Sequence, residues 1–408
     1  MNSIIRKIGA KIGRLAFIAI ILMAAFGSAF AQGGTITIQG QVGTFPTIQS
    51  AIDAAPSAGT VIVDGGDHQE NLVITRALQL MGQNNAAINP TSGTPIFINN
   101  PSGSVQVIGF IIKIPANQVG ISYDAPATDV THTGTILRCS FRGGFNSIVA
   151  REAQFRIVGN QFSGSAATAV IVQGVPGTTN RKLRVSSNTF SGVAVVGGVA
   201  QSVSSAITAT DGNIQVDGNQ ISNVKNGVLV SKCIGKVASN NFTDAQVGMD
   251  LTDSPGLLAE RNASSISAAF SAAFNAQAFT TAGLRLIRSS GSIVRNNTFV
   301  GGNSGIIVTQ QSTGVTIEAN IVRDVVGSPL GGGTGITVSV SSFAEVHNNN
   351  IENNAFGLQV VGSTANATNN WWGATNGPSG AGGGSGDSIA TGVPFTPFLT
   401  APNPNAGA

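Results

Sequence analysis

The chain has little cysteine, histidine, tyrosine, tryptophan or charge. Its 408 residues include two Cys, three His, one Tyr and two Trp, and only 10% are Asp, Glu, Lys or Arg. Two cysteines cannot form a disulfide framework, so stability must come from a large apolar core. The histidines, His68, His132 and His347, have no Cys or carboxylate at ligand spacing, which argues against a zinc site. We therefore predict neither a metal nor a cofactor.

Long apolar runs are missing after the N-terminus. The run from Leu15 to Phe26 follows four basic residues and no acidic one, and it precedes a small-residue site that ends at Ala31. This pattern is typical of a cleaved secretory signal peptide over residues 1–31. No later run reaches the ~18 apolar residues of a membrane span. We predict an exported monomer, extracellular, at the cell surface or periplasmic, without a membrane span.

Cleavage also changes the charge balance. Four of the 21 Lys and Arg lie in the predicted signal peptide, so 17 remain against 18 Asp and Glu, a net charge of −1. The sequence pI of about 9.1 therefore describes the precursor. A charge balance close to zero argues against nucleic acid as a partner.

Glycine is abundant, at 53 residues, and so are the strand and turn formers Val, Ile, Thr, Asn and Ser, which predicts an all-β fold. The dominant feature is a repeat: an aliphatic residue, two residues, Asn, one residue, then an apolar residue. Successive copies lie 21 to 35 residues apart, the spacing of solenoid coils. The copy at Asn262 is degenerate. The repeated position is occupied by Cys139, Asn160, Asn188, Asn219, Asn240, Asn262, Asn297, Asn320, Asn349 and Asn370.

Short alternating runs that begin eight residues after the repeated Asn, such as Gly227 to Val230 and Gly305 to Val308, are typical of strands. Three short strands per coil would stack each coil on the next at ~4.8 Å around an apolar column. An Asn at the same bend of every coil can adopt the left-handed conformation and bond the equivalent amide above and below. We interpret this Asn column as structural.

These repeats resemble the right-handed parallel β-helices of the pectin lyase-like superfamily, from about Thr35 to Leu399. The segment 45–56 resembles that family's N-terminal capping helix, with Thr47 as N-cap and an apolar face at i, i+3, i+4, i+7. The segment 369–399, with Trp371 and Trp372, resembles a C-terminal closing motif. We predict one all-β solenoid over 32–399, a capping helix about 47–55, a cap about 369–399 and a flexible tail over 400–408.

The resemblance does not extend to the known active sites of the superfamily. The Asn-Thr-Asp, Asp-Asp and Gly-His-Gly clusters of polygalacturonases are missing, and so are the runs typical of epimerases and pectin methylesterases. The leading prediction is a non-catalytic exported module that binds a polysaccharide or cell-surface glycan. The alternative is a polysaccharide-active enzyme, a uronic-acid polymer lyase or pectin esterase-like protein, with its site on the middle coils; an architectural spacer also stays open.

One group of outward positions carries unusual charge. Aligning the strands that follow the repeated Asn places Asp250 beside Arg285, and the position three residues later collects further charges on the same coils. We predict that these residues contact a polar or anionic glycan, with Arg and Lys binding hydroxyl or carboxylate oxygens; alternatively the pairs only keep the face soluble. This charged cluster consists of Asp211, Lys232, Asp250, Asp253, Arg285 and Arg288.

Three further features carry weaker predictions. The Ala- and Phe-rich segment 264–281 is expected to form a lateral helix or hairpin, as a packed insertion or a lid over the binding face. Trp371 and Trp372 are expected to cover the end of the core or to stack on a sugar. Cys139 and Cys233 are separated by roughly three coils, too far for a disulfide, and are expected to be buried thiols.

Overall fold

The computed structural model describes residues 34–99, 101, 103–125, 133–151, 154–175, 182–192, 205–275, 281–328 and 331–408. The predicted signal peptide and His132 lie outside these residues. The described chain winds into stacked coils, and each complete coil contributes strands to three columns that run along the solenoid. The all-β parallel solenoid predicted from the repeats is confirmed.

The first column precedes the repeated Asn. Its first two strands are antiparallel and the others pair in parallel. This sheet comprises Thr35–Ile38, Gly59–Asp64, Leu78–Gln83, Val105–Ile108, Thr133–Leu137, Gln154–Val158, Lys182–Ser186, Asn213–Asp217, Ile234–Ala238, Leu258–Glu260, Ile293–Arg295, Val315–Glu318, Phe343–His347 and Thr364–Asn366.

The second and third columns follow the repeated Asn and belong to one sheet, because two long strands, Gln220–Ser231 and Asn241–Thr252, continue from one column into the other. The other strands of the second column are Asp67–His68, Ala87–Ile88, Ile111–Ile114, Ser140–Gly143, Gln161–Ser163, Thr189–Ser191, Ala263–Ile266, Thr298–Gly301, Ile321–Arg323 and Asn350–Glu352. Those of the third column are Leu72–Ile74, Ile96–Asn99, Val119–Asp124, Asn146–Arg151, Thr168–Gln173, Ser205–Thr210, Ala282–Ile287, Ser304–Thr309, Thr334–Ser339, Phe356–Val361 and Gly386–Ile389. Pro378–Gly380 pairs with the last of these, and Gly327–Ser328 forms a small antiparallel hairpin with Gly331–Gly332.

The repeated asparagines form a continuous hydrogen-bonded ladder from Asn160 to Asn370. In each step the backbone N–H and the side-chain amide of one Asn donate to Oδ1 of the next; from Asn219 to Asn240 these distances are 3.1 and 2.8 Å. Asn262, expected to be a degenerate copy, is a full member. The prediction that the Asn itself is left-handed is wrong by one residue, since the residue before it has the positive φ, as in Ser239 (56°) and Ala319 (52°).

Inward side chains fill the space between the columns. Phe141, Phe162 and Phe190 occupy one register position on successive coils, and their rings stack with centroids 4.9 and 4.6 Å apart. Such stacking follows from the coil repeat, because identical side chains at one register position are placed a strand spacing apart. The core is continuous from the first coil to Trp372.

Both ends of the core are covered. At the N-terminal end a helix, Ile48–Ala54, begins after the N-cap Thr47, whose hydroxyl accepts from the backbone of Ser50, and buries Ile48, Ala51 and Ile52. At the other end Trp372 is fully buried and Trp371 is 7% exposed, with its Nε1–H donating to Glu352 at 3.1 Å. Neither indole offers a free face, so the sugar-stacking interpretation is wrong.

The C-terminal residues 400–408 are packed against the solenoid, which corrects the expectation of a flexible tail. Asn403 donates from its backbone N–H to Oδ1 of Asn350 at 2.7 Å, and the amide of Asn350 donates back to the carbonyl of Asn403 at 3.0 Å. The backbone N–H of Gly407 donates to the carbonyl of Ala319 at 2.8 Å. This segment therefore runs back along the second-column side of the last coils.

The Ala- and Phe-rich insertion contains a helix, Ala268–Asn275, after the second-column strand Ala263–Ile266. The backbone N–H of Ser267 donates to Oδ1 of Asp244 on the preceding coil at 2.7 Å. Phe270 is 9% exposed and forms a small apolar cluster with Ile266. The side chains of Phe274 and Phe279 lie outside the described residues.

Candidate functional site

The charged cluster lies on the third column and at the bend that follows it. Asp250 and Arg285 are register partners on neighbouring strands. The guanidinium of Arg285 donates through Nη2 to one carboxylate oxygen of Asp250 and through Nε to the other, at 3.3 Å. The Asp250 side chain is only 6% exposed, whereas that of Arg285 is 38% exposed. The buried carboxylate thus holds one edge of a guanidinium whose other edge faces solvent.

The bend after the third column carries the other four residues of the charged cluster. Asp211, Lys232, Asp253 and Arg288 all have a left-handed backbone, with φ between 47° and 54°. The backbone N–H of each donates to the carbonyl of the last third-column residue on the next coil, as from Lys232 to Thr252 at 3.1 Å. They therefore occupy one bend position on consecutive coils.

A second ion pair forms at this bend. Arg288 donates to the carboxylate of Asp253 at 2.6 and 3.1 Å and to Oε1 of Gln310 at 2.6 Å. The hydrogen bond from Arg288 lowers the pKa of Asp253 below its ordinary value, and the charge of Lys232 acts in the same direction. The same hydrogen bond raises the pKa of Arg288. Both groups are therefore charged at neutral pH.

The charged cluster has three acids and three bases, so its chemistry depends on which cations stay available. All three nitrogens of Arg288 are engaged. Within the described part of the chain, Nη1 of Arg285 makes no hydrogen bond and the exposed amine of Lys232 has no ion-pair partner. Arg285 and Lys232 can therefore contact a ligand anion without breaking an existing bond.

Sequence reasoning missed the support beneath this bend. From Lys232 onward, the residue one or two positions after the bend residue is small, and its backbone N–H donates to the hydroxyl of the equivalent serine on the next coil. These distances lie between 3.0 and 3.2 Å. The serines recur at coil spacing, which was the available signal. This serine ladder runs through Cys233, Ser254, Ser289, Ser312, Ser342 and Ser363.

The two cysteines are buried and unpaired, as expected. Burial raises the pKa of Cys139 to about 12 and that of Cys233 to about 11. Cys139 takes the first position of the Asn ladder, since its backbone N–H donates to Oδ1 of Asn160 at 2.8 Å. Neither thiol is activated for nucleophilic chemistry, because the thiolate is the reactive form.

Sequence reasoning also missed a basic groove on the outer face of the first column. It has a volume of about 710 Å³ and includes Arg156, Lys182, Arg184 and Lys236 among its lining residues. Their alternation with buried residues, as in Lys182-Leu183-Arg184, was visible in the sequence. It was overlooked because only strands after the repeated Asn were aligned.

Within the described residues, no three His, Cys, Asp or Glu side chains come together as they would around a metal ion. None of the described helices has both the length and the apolar character required to cross a bilayer.

Solved structures with a similar fold include three lyases. The first is a mannuronic acid-specific polysaccharide family 6 lyase from human gut microbiota, with a TM-score of 0.54, 14% identity and coverage of 76% of this chain and 81% of that one. The second is a family 6 alginate lyase in complex with a trisaccharide, with a TM-score of 0.50, 11% identity and coverage of 78% and 81%. The third is an alginate lyase in complex with G6, with a TM-score of 0.52, 10% identity and coverage of 87% and 85%. At these identities the likeness shows the fold.

These neighbours contradict the leading prediction of a non-catalytic binding or surface module. These three lyases, which are similar in fold over more than three quarters of this chain, act on polysaccharides. The prediction was based on the absence of the active-site motifs of known subfamilies. That absence does not exclude an active site built from different residues. The alternative, a polysaccharide-active enzyme, is the better supported one.

Sequence comparison gives one family match. The model of the right handed beta helix region matches residues 204–371, which contain much of the Asn ladder and the whole charged cluster. No curated protein matches the sequence. The matched region and the coordinates together show that this chain folds as a right-handed parallel β-helix.

Proposed function

We propose that this protein is an exported polysaccharide lyase that cleaves a uronic-acid polymer at the charged cluster. The observation that carries the proposal is the half-exposed guanidinium of Arg285, held by the buried carboxylate of Asp250 on a neighbouring coil. Such a group is positioned before substrate arrives, which is how cationic side chains contribute most to catalysis. The likeness of the fold to alginate lyases supports the reaction class and suggests mannuronate-containing polymers as substrate.

The elimination reaction explains why these residue types suit the site. A lyase removes the proton at C5 of the uronate, breaks the C4–O bond and forms a C4–C5 double bond. Negative charge develops next to the uronate carboxylate, so a cation bound to that carboxylate lowers the barrier. Arg285 is assigned this contact.

The proton transfers need a second group. Lys232 has an exposed ammonium one coil from Asp253 and can donate a proton to the departing O4. The C5 proton passes to water. Asp250 and Asp253 act as positioning residues, because they hold Arg285 and Arg288. Asp211 extends the contact surface by one coil.

Export follows from the N-terminal sequence. The basic residues, the 12-residue apolar run and the small-residue site of the first 31 residues are those of a secretory signal peptide. An enzyme that acts on a polymer too large to enter the cell needs such a leader.

The test is turnover of defined polymers. Polymannuronate, polyguluronate and polygalacturonate are incubated with the protein, and the ultraviolet absorbance of the unsaturated product is followed. We expect activity on at least one polymer and a loss of 10²–10³ in kcat for Arg285→Ala, the usual cost of removing a charge-stabilising donor. Lys232→Met should lose most of its kcat with little change in KM.

The matched control is Arg295→Ala. Arg295 also pairs with a buried carboxylate on the neighbouring coil, Glu260, at 2.9 Å, but it lies on the first column. We expect its activity to stay within about twofold of wild type. The proposal fails if no polymer yields unsaturated product, or if Arg285→Ala and Arg295→Ala lose activity equally.

A further inference from the structure

The basic groove places like charges next to each other on neighbouring strands. Most charged register partners are opposite in sign, as in Asp250 with Arg285 and Glu260 with Arg295, and in the like-charged pair of Lys113 with Arg142 the amine of Lys113 is bonded to Asp67 at 2.7 Å. In the groove, Arg156 and Arg184 are register partners although both are cationic. Like charges directly opposite each other on neighbouring strands destabilise a sheet. An external anion would relieve this repulsion.

The groove is only partly neutralised by its own acids. Arg184 approaches Asp217 at 3.5 Å, and its buried Nε has no hydrogen-bond partner among the described residues. Arg156, Lys182 and Lys236 have no ion-pair partner within the same part of the chain. The groove thus holds a local excess of positive charge on a chain whose total charge is close to zero.

The arrangement of these cations fits an elongated anion. Arg156, Arg184, Gln215 and Lys236 share one register position on four consecutive coils. At ~4.8 Å per coil, the row extends over about 14 Å along the solenoid axis. A small anion would need its donors converged on one point, whereas a row of cations matches charges repeated along a polymer.

The other lining residues distinguish between polyanions. Gln215 offers an amide that can bond hydroxyl groups, and Gly235 has φ 109° and no room for a Cβ, which would lie 2.2 Å from the carbonyl of Ile214. A bare backbone at that point lets a ligand approach closely. None of the described lining residues is aromatic, whereas proteins that bind single-stranded nucleic acid stack bases on aromatic side chains.

We propose that the basic groove is a second binding site, for a linear carboxylated polysaccharide, separate from the charged cluster. It goes beyond the proposed lyase activity, because it lies on a different column and requires no catalysis. Arg156, Arg184 and Lys236 bind carboxylates along the polymer, Lys182 adds positive charge beside Arg184, and the amide of Gln215 binds hydroxyl groups between them.

The experiment measures affinity directly. The Kd of the full chain for polymannuronate is determined by calorimetry in the Arg285→Ala background, in which cleavage is expected to be about 10²–10³-fold slower. We expect Arg156→Ser/Lys236→Ser to weaken binding at least tenfold, since each exposed charge contact contributes roughly a fivefold effect. Binding should also weaken as salt is added.

The control removes the same charge elsewhere. Arg138→Ser/Arg142→Ser takes away two exposed cations outside the groove and should change Kd less than twofold. Arg156→Lys/Lys236→Arg keeps both charges and should retain binding, which separates loss of charge from loss of folding. Unchanged affinity of the Arg156→Ser/Lys236→Ser variant would overturn the proposal.

Two probes test the ligand class. Dextran, a neutral polymer, should not bind, and dextran that binds as well as polymannuronate would refute a charge-based site. Single-stranded DNA that binds more tightly than polymannuronate would refute the assignment to a polysaccharide. Because binding is measured without turnover, absence of lyase activity would refute the proposed function and leave this site standing.

Discussion

Replacement of Asn240 by Ala tests the structural element on which the whole fold depends. Asn240 is 1% exposed. Its amide nitrogen donates to the carbonyls of Val216 and Ala238 and to Oδ1 of Asn262, at 2.9 to 3.0 Å. Its Oδ1 accepts from both nitrogens of Asn219, at 3.1 and 2.8 Å. Alanine removes these five bonds and leaves partners on three coils.

The magnitude follows from the bonds lost. Each net hydrogen bond contributes about 1 kcal/mol, and each buried group left without a partner costs roughly 1–3 kcal/mol. Because some of the carbonyls that lose a donor keep other partners, we expect Asn240→Ala to lower the free energy of unfolding by about 4–6 kcal/mol in total. That is a large share of the stability of an ordinary domain, ~5–15 kcal/mol.

The neighbouring Asn241→Ala is the matched control. Asn241 is exposed and its side chain makes one exposed bond, to Gln220 at 3.0 Å, so its loss should cost less than about 0.5 kcal/mol. Both variants are compared with wild type by urea unfolding, monitored by circular dichroism and tryptophan fluorescence, because a solenoid need not unfold in one step. If the free energy of unfolding of Asn240→Ala lies within about 1 kcal/mol of that of Asn241→Ala, the structural role of the ladder is refuted.

Three other predictions concern thiols, acid and the C-terminus. Cys139 and Cys233, with pKa values of about 12 and about 11, should react with iodoacetamide at pH 8 about a hundredfold or more slowly in the native protein than in urea; equal rates would contradict their burial. The folded-state pKa of Asp253 is lowered by Arg288, so its contribution to stability is present above its ordinary value of 3.8 and is lost as pH falls through the lowered value. The stability difference between wild type and Asp253→Asn should therefore shrink on acidification, and a difference that grows would contradict the pairing. Deletion of 400–408 removes the bonds between Asn403 and Asn350 and should lower the thermal midpoint by roughly 2–6 °C; an unchanged midpoint would show that the packed segment adds no stability.

The coil repeat was predictable because an Asn side chain forms the same inter-coil hydrogen bond at the same bend of many coils. Where that bond is absent the repeat was not visible. At the bends of two earlier coils the backbone carbonyls of Ala86 and Phe110 accept the inter-coil bonds, and neither residue has an amide side chain. Apolar packing alone defines those coils, and short apolar runs carry no register signal.

The position of the charged cluster was predictable for the same reason. Asn240 and Asn262 place Asp250 and Arg285 on neighbouring coils, and alignment of the strands that follow, past the insertion after Asn262, makes the two residues neighbours despite a separation of 35 residues. The bonds they form were not predictable, because the choice between a buried pair and two exposed charges depends on side-chain packing. The C-terminal segment was missed since its contacts, such as Asn403 with Asn350, follow no repeat.

The two candidate sites lie on adjoining faces of the same coils, and this has a consequence for how a polymer could use them. Lys232, in the charged cluster, and Lys236, in the basic groove, are four residues apart across one bend, at most about 13 Å of extended chain. The bend between them is fixed by the bond from the backbone N–H of Cys233 to Ser254 at 3.1 Å. Because the serine ladder repeats this bond on the following coils, the angle between the two faces is set by the solenoid itself. A carboxylated polymer held in the groove would therefore be presented to the cluster at a constant distance, which favours cleavage of long chains over short ones.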